Sequence, residues 1–150
     1  MSLMLENKQC LIAGDGILPI KMAQYANENG FEVICISLAK DNRSKLKKYC
    51  SKVYDCHPGE INRIEQILKD DEIKQATFLG KVHKRILLQL HKFDAKAIEL
   101  LKTIKRLNDD EVMLLIVREL EKLGITVLDQ TIFIKNLILP TSLWTCHNLT

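Results

Sequence analysis

The chain has 150 residues, 47% of them hydrophobic and 27% charged, with a formal net charge of +3 at pH 7. This length and composition indicate one globular domain with a single core. The charge is small and mixed in sign, so nucleic acid is not an expected partner. No apolar stretch approaches a bilayer span and no signal peptide is visible at the first residues, so we expect a cytoplasmic protein.

Apolar runs alternate with helical stripes along the whole sequence. We predict strands over Gln9–Ala13, Phe31–Leu38, Val53–Asp55, Gln75–Leu79 and Ile125–Leu128. The alternation of strand and helix predicts an α/β fold, Rossmann-like, with a mostly parallel sheet of about five strands and helices on both faces.

Four helices are predicted between these strands, and each has a boundary signal or an apolar stripe. The first has Pro19 near its start and Gly30 at its end, and the second covers Glu60–Lys69. Acidic residues 70–72 oppose the dipole at the end of that helix, which predicts fraying there. The third carries the stripe Ala97, Ile98, Leu101 and Ile104, and the fourth runs from Asp109-Asp110-Glu111 to Gly124.

The end of the chain departs from this pattern. Residues 131–139 are apolar and predicted to be helical, Pro140 interrupts, and residues 144–150 have no period. A packed domain rarely closes on an apolar, unpatterned segment. We therefore expect residues 1–136 to form the Rossmann-like domain and residues 137–150 to be a linker or the truncated start of another domain.

The five cysteines are odd in number and include no C-x-x-C pair, which indicates a reduced intracellular protein. Cys10 and Cys35 lie in apolar runs and are predicted to be core residues. Cys56 and His57 are adjacent residues of types that bind metals, but no further ligand lies at a recognisable spacing from them. No metal site is therefore predicted.

The segment Gly14–Gly16, which we name the glycine elbow, joins the first predicted strand to the first helix. Glycine accepts positive φ and leaves the main chain open, so amide N–H groups of the elbow can face an anion. The candidate binding residues are Gly14, Asp15 and Gly16. Pro19 replaces the third glycine of the dinucleotide fingerprint G-x-G-x-x-G, so an NAD site is not expected. A plain strand-to-helix connection remains the alternative interpretation.

A second candidate segment is basic and follows the fourth predicted strand, at the sheet edge where doubly wound folds bind ligands. It runs from Gly80 to Arg85, and Lys81 and Arg85 are the candidate ligand contacts, with a solvated basic loop as the alternative. His83 has no identifiable carboxylate partner and is predicted to be exposed. No catalytic residue is predicted.

For two charged clusters we predict a structural role and not a ligand site. The acids Asp109-Asp110-Glu111 suit a helix N-terminus better than a metal site. The remaining basic cluster is predicted to be a solvated face, with contact to anionic lipid head groups as the alternative; it comprises Lys40, Arg43, Lys45, Lys47, Lys48 and Lys52.

Several motifs, in order, resemble the N-terminal domain of the LpxI-type UDP-2,3-diacylglucosamine pyrophosphatases. They are I-A-G-x-G-x-L-P at Ile12–Pro19, G-K-V and bases at Gly80–Arg85, the pair Asp109-Asp110, and L-P and L-T at 139–140 and 149–150. Asp15 stands where the family's turn reads G-N-G, and Ile86 where a proline is expected. Lys81 matches the family motif directly, whereas Arg85 matches by charge.

The resemblance implies a magnesium-dependent hydrolase of lipid A biosynthesis in a Gram-negative bacterium. It would split UDP-2,3-diacylglucosamine into UMP and 2,3-diacylglucosamine 1-phosphate, with the substrate between two domains. Mg²⁺ and the catalytic acid would belong mainly to a C-terminal domain. We therefore expect this chain to be a fragment or split gene product, inactive alone, with the UDP-sugar lipid and the missing domain as partners. The resemblance is also compatible with peripheral contact with the inner membrane and with formation of a homodimer.

Two other functions fit the same elements. One is a non-catalytic nucleotide-binding or interaction module with a Rossmann-like fold. The other is a phospho-acceptor receiver domain, with Asp15 after the first strand, Asp55 ending the third and Lys81 after a later one. Receivers place two adjacent acids after the first strand to hold magnesium, and Gly16 occupies one of those positions here, which disfavours this hypothesis.

Overall fold

The structure, a computed structural model, describes residues 6–80, 89–103 and 109–128. Its strands are β1 (Lys8–Ala13), β2 (Glu32–Ser37), β3 (Lys52–Asp55), β4 (Gln75–Leu79) and β5 (Thr126–Leu128). Its helices are α1 (Leu18–Glu28), α2 (Arg43–Leu46), α3 (Ile61–Asp70), α4 (Ala95–Lys102) and α5 (Asp109–Lys122), with 3-10 turns at Lys40–Asn42 and Leu90–Lys92. The segments predicted over 131–139 and 144–150 lie outside the described residues. Within those residues, no helix has the length and apolar character needed to cross a bilayer.

The five strands form one parallel sheet in the order β3-β2-β1-β4-β5, which confirms the predicted Rossmann-like α/β class. The chain builds the sheet outward from β1 through β2 to β3, and then places β4 on the other side of β1. The order therefore reverses between β1 and β4. In open α/β sheets, ligands bind at the carboxyl ends of the strands flanking this reversal.

Both faces of the sheet are covered, which explains why β1 and β2 are buried along nearly their whole length. Successive side chains of a strand point to opposite faces. On one face Leu11 and Ala13 pack with Met22 and Ala23 of α1 and with α2. On the other face the strands pack with α3 and α5 through a cluster that includes Cys10, Ile12, Ile34, Ile64, Leu68 and Leu120. Cys10 and Cys35 are core residues, as predicted.

The predicted solvated basic face contains an element that sequence reasoning missed. Residues 40–46 form a 3-10 turn followed by the short helix α2, and Leu46 of α2 is fully buried. The lysines at 40, 45, 47 and 48 are exposed, as a solvated face requires. Lys52 is also exposed and pairs with Asp71, whereas the partly buried Arg43 pairs with Asp55.

The end of α3 is anchored, so the prediction of fraying was wrong. Asp71 is buried, and its carboxylate accepts hydrogen bonds from Lys52 Nζ at 2.8 Å and from the Tyr54 hydroxyl at 2.9 Å. Lys8 Nζ also donates to the Asp71 carbonyl oxygen at 3.0 Å. Cations supplied by β1 and β3 therefore compensate the acid at the end of the helix.

Candidate functional site

The glycine elbow lies at the point where the strand order reverses. Ala13 at the end of β1 is in register with Leu79 at the end of β4, and the next amide along, Gly14 N–H, donates to the Leu79 carbonyl oxygen at 2.8 Å. The elbow is thus fastened to the neighbouring strand at the carboxyl edge of the sheet. This is the edge that the sequence argument requires for a ligand site.

Gly80 packs directly against the elbow. Its φ is +93°, and a Cβ at this position would lie 2.6 Å from the Asp15 carbonyl oxygen and 2.7 Å from the Gly14 carbonyl carbon. Only glycine fits such a contact and such a dihedral angle. The basic segment therefore begins in contact with the elbow. Its candidate residues Lys81 and Arg85, and also His83, lie outside the described residues.

The elbow opens to solvent at its far end. Gly16 has φ +110°, and a Cβ there would meet no atom within 4 Å. Ile17 and Leu18 are 62% and 43% exposed, although both are large apolar residues. No side chain caps α1, and Pro19 occupies its first turn, as predicted. The N-terminal end of α1 and the elbow are therefore accessible to a ligand.

The carboxylate of Asp15 already interacts with the elbow. Gly16 N–H donates to Asp15 Oδ1 at 3.0 Å. A phosphate that used this amide would have to displace the carboxylate, and it would meet a like charge. The charge at this position is evident from the sequence, but the hydrogen bond is visible only in the structure.

Asn42 belongs to the site and was missed by sequence reasoning. It ends the 3-10 turn after β2, it is buried, and its Nδ2 donates to the Gly16 carbonyl oxygen at 2.7 Å. The Gly14 carbonyl oxygen lies 3.5 Å from the same nitrogen. Its sequence signal was an asparagine placed after a strand end within a basic stretch, which by itself does not indicate a partner.

The carboxyl end of β3 carries a separate set of polar contacts. Arg43 forms an ion pair with Asp55, and Arg63 Nη1 donates to the Asp55 carbonyl oxygen at 2.6 Å. β3 is two strands away from β1 in the sheet order. In the receiver type of doubly wound sheet, with order 2-1-3-4-5, the third strand lies beside the first. The observed order contradicts the receiver hypothesis.

Neither Cys56 nor His57 is arranged for metal binding. Burial raises the pKa of the Cys56 thiol to about 11, which keeps it neutral at physiological pH. His57 Nδ1 accepts a hydrogen bond from Gly59 N–H at 2.9 Å, and so its Nε2 carries the proton and donates to Gln89 Oε1 at 2.9 Å. Across the described part of the chain, no three His, Cys, Asp or Glu side chains converge on a point that could hold a metal ion.

A cavity of about 20 Å³ lies on the other side of the sheet, between the strands, α3 and α5. Its lining includes Ile12, Phe78, Glu65 and Glu119. Both glutamates are buried and approach Lys96 Nζ, at 2.6 Å for Glu65 and 3.6 Å for Glu119. The volume suffices for one water molecule and is far too small for a nucleotide. This cavity is therefore not a candidate nucleotide site.

Comparison with known proteins gives a match to a protein family. The model described as the LpxI N-terminal domain matches residues 8–137. A search of curated proteins finds no match. The matched range contains all five strands, the glycine elbow and the basic segment.

Proposed function

The chain belongs to the LpxI N-terminal domain family, and we propose that it is the substrate-binding domain of a UDP-2,3-diacylglucosamine pyrophosphatase. The reaction is attack of water on a phosphorus of the pyrophosphate, which releases UMP and 2,3-diacylglucosamine 1-phosphate. This chain would supply binding groups, and a C-terminal domain would supply the catalytic carboxylate.

The observation that carries this proposal is the open glycine elbow at the reversal of strand order, in contact with Gly80. Main-chain amides at the elbow and at the start of α1 are suited to bind an anion, because the helix dipole adds to their partial positive charge. Gly14, Asp15 and Gly16 would line the ligand on this side. Fixed amides that face the pyrophosphate would stabilise the charge that develops during hydrolysis.

The basic segment supports the same assignment through its chemistry. Lys81 follows Gly80 directly in the chain, within the G-K-V motif on which the resemblance to the family partly rests. Its ammonium group would act as a point charge on a phosphate, and Arg85 could engage two oxygens at once. Both would come from the end of β4, on the strand adjacent to the elbow.

Mg²⁺ is implied by the family and would activate water and neutralise phosphoryl oxygens when bound. The described residues do not fit a complete magnesium site, because three suitable side chains do not meet among them. The acids Asp109 and Asp110 begin α5, but their side chains lie outside what the structure describes. We therefore propose that the C-terminal domain supplies most of the metal ligands.

The direct experiment is hydrolysis of UDP-2,3-diacylglucosamine in the presence of Mg²⁺, by the 150-residue chain with and without the C-terminal domain of a family member. Turnover is expected only when this chain and the C-terminal domain are both present. Robust hydrolysis by this chain alone would contradict the assignment of catalysis to the other domain.

A variant of Lys81 tests the role of this chain in the active pair. Lys81→Ala is expected to reduce turnover by about 10-fold or more, the scale of one charge-assisted contact to phosphate. Lys74→Ala removes an equivalent charge at the opposite end of β4, where Lys74 is exposed, and is expected to leave turnover unchanged. Equal losses in both variants would contradict a specific role for Lys81.

A nucleotide-binding module without catalysis is the second candidate, because the strand order β3-β2-β1-β4-β5 matches that of dinucleotide-binding Rossmann folds over these five strands. Calorimetry with UMP, UDP, NAD and ATP separates the two. The pyrophosphatase proposal expects preference for uridine ligands, whereas preference for adenine dinucleotides would favour the module.

A further inference from the structure

Asn42 is placed where asparagine ordinarily caps a helix, but it serves another purpose. It occupies the N-cap position of α2 with φ −95° and ψ −6°, and its side chain makes no cap hydrogen bond. An asparagine at this position normally accepts from an amide in the first turn of its own helix. The side-chain amide of Asn42 is instead directed across to the glycine elbow, which is 26 residues away in sequence.

The contact between Asn42 and the elbow satisfies a requirement of the Asn42 side chain, because a buried amide without hydrogen-bond partners is unfavourable. Asn42 is 8% exposed, and its Nδ2 lies 2.7 Å from the Gly16 carbonyl oxygen. The Gly14 carbonyl oxygen lies at the edge of hydrogen-bond range from the same nitrogen, at 3.5 Å. Two carbonyl groups of the elbow are thus turned toward one donor.

The direction of a carbonyl group fixes the direction of the amide in the same peptide. The chain is trans throughout its described peptides, and in a trans peptide the C=O and N–H bonds point opposite ways. The Gly16 carbonyl and the Ile17 amide belong to one peptide. Because Asn42 holds that carbonyl, the Ile17 N–H points away from Asn42.

This restraint acts where the backbone has most freedom. Gly16 has φ +110° with open space around its α-carbon, so glycine alone would let this peptide rotate. Gly14 is held by β4 through its hydrogen bond to Leu79. The hydrogen bond from Asn42 is a further attachment, on the side of the elbow that leads into α1.

We propose that Asn42 is the positioning residue of the glycine elbow: by holding the Gly16 carbonyl it aims the Ile17 amide at the phosphate of a uridine nucleotide. This inference rests on the proposed function, in which the elbow binds that phosphate. Asn42 acts through the main chain and does not contact the ligand. It adds a residue from the connection after β2 to a site otherwise built from β1 and β4.

The test uses the complete 150-residue chain, UMP as the probe, and three variants. Asn42→Asp keeps the shape but replaces the donor with an oxygen that repels the Gly16 carbonyl. Asn42→Ala removes the donor without burying a charge, and it keeps the test decisive if Asn42→Asp does not fold. Asn29→Asp is the matched control, because Asn29 Nδ2 also donates to a main-chain carbonyl, that of Tyr25 at 2.7 Å, at the other end of α1.

Affinity is measured by calorimetry at a temperature where every variant is folded. Asn42→Asp is expected to raise the Kd of UMP about 10-fold and Asn42→Ala about 5-fold, the range for one lost polar interaction. Asn29→Asp is expected to leave Kd within about 2-fold of the unsubstituted chain. Equal Kd values for the folded Asn42 variants and the unsubstituted chain would overturn the inference.

Amide NMR at saturating UMP supplies a readout that a loss of stability would not move. The Ile17 amide resonance is expected to shift on binding in the unsubstituted chain and in Asn29→Asp, and to lose that shift in the Asn42 variants. An unchanged shift in those variants would also overturn the inference. If the unsubstituted chain itself does not bind UMP, the proposed function fails, which is a different result from binding that is indifferent to Asn42.

Discussion

At the scale of single residues, the elbow combines groups that attract an anion with one that repels it. Gly16 N–H is suited to bind a phosphate oxygen, yet it donates to Asp15 Oδ1 in this structure. An asparagine in place of Asp15 would leave the geometry similar without the charge. The Asp15 carboxylate therefore opposes the binding of an anion at the elbow.

The first prediction concerns that charge. Asp15→Asn is expected to tighten UMP binding about 3-fold, because it removes one solvent-accessible like charge worth roughly 0.5–1 kcal/mol. Titration calorimetry checks this. Asp70→Asn is the matched control, since Asp70 is exposed at the end of α3, and it is expected to leave binding unchanged. Weaker binding in Asp15→Asn would show that the carboxylate contributes a ligand contact.

The second prediction separates steric contact from dihedral strain at two glycines. Gly80→Ala is expected to lower the free energy of unfolding by about 2–4 kcal/mol, from a positive φ together with overlap onto the elbow backbone. Gly124→Ala has a similar φ, +83°, with no atom within 4 Å of the added Cβ, so only about 1 kcal/mol is expected. Urea unfolding measures both, and equal losses would refute the close contact between Gly80 and the elbow.

At the scale of elements, Asp94 joins two helices through one carboxylate. Oδ2 accepts from Asn62 N–H at the start of α3, at 2.7 Å, and Oδ1 accepts from Ala97 N–H at the start of α4, at 2.8 Å. Each helix gains a cap and a negative charge at its positive end. The same residue donates its own amide to the Gly59 carbonyl oxygen at 3.0 Å. The turn before α3 and the start of α4 are thus held together.

The third prediction follows from this double role. Asp94→Ala is expected to cost about 2 kcal/mol of unfolding free energy, roughly 1 kcal/mol for each lost cap. Asp94→Asn retains an oxygen acceptor for one helix and is expected to cost about half as much. Urea unfolding followed by circular dichroism checks the order of the two variants. Equal stability of Asp94→Ala and the unsubstituted chain would mean that solvent caps these helices equally well.

At the scale of the whole molecule, Asp71 connects the edge strand β3 to the turn that precedes β4. The Lys52 ammonium that donates to the Asp71 carboxylate holds its pKa below the ordinary value of 3.8, and the Tyr54 hydroxyl acts in the same direction. A carboxyl whose pKa is lower when folded stabilises the fold above its ordinary pKa. That contribution is lost as the pH falls through the folded value.

The fourth prediction is the resulting dependence of stability on pH. The unsubstituted chain is expected to lose unfolding free energy more steeply below about pH 4 than Asp71→Asn, which cannot titrate at this position. At neutral pH the variant is expected to be less stable by about 2 kcal/mol, the scale of a hydrogen bond to a charged group. Urea unfolding midpoints, measured over a series of pH values from neutral to acidic, give the pH dependence and the loss at neutral pH. Asp70→Asn, at the exposed neighbouring position, is the control. Parallel curves for Asp71→Asn and the unsubstituted chain would contradict this account.

Local signals in the sequence were sufficient for the five strands, the four longer helices and the fold class. The apolar runs around Cys10 and Cys35 predicted buried strands, because a strand covered on both faces needs apolar side chains on both. Pro19 and Gly30 marked the ends of α1, because their dihedral preferences act within one turn. The short helix α2 was missed, because four residues with one buried side chain, Leu46, give no stripe.

The sequence by itself determined an α/β chain with a glycine elbow after its first strand, since periodicity and dihedral preference are properties of neighbouring residues. The tertiary structure alone decided that β4 lies beside β1, which excludes the receiver hypothesis. It also decided that Asn42 holds the elbow and that Gly80 touches it. These contacts join residues 26 or more positions apart, and their partners are fixed by packing of the sheet and helices, which no local pattern specifies.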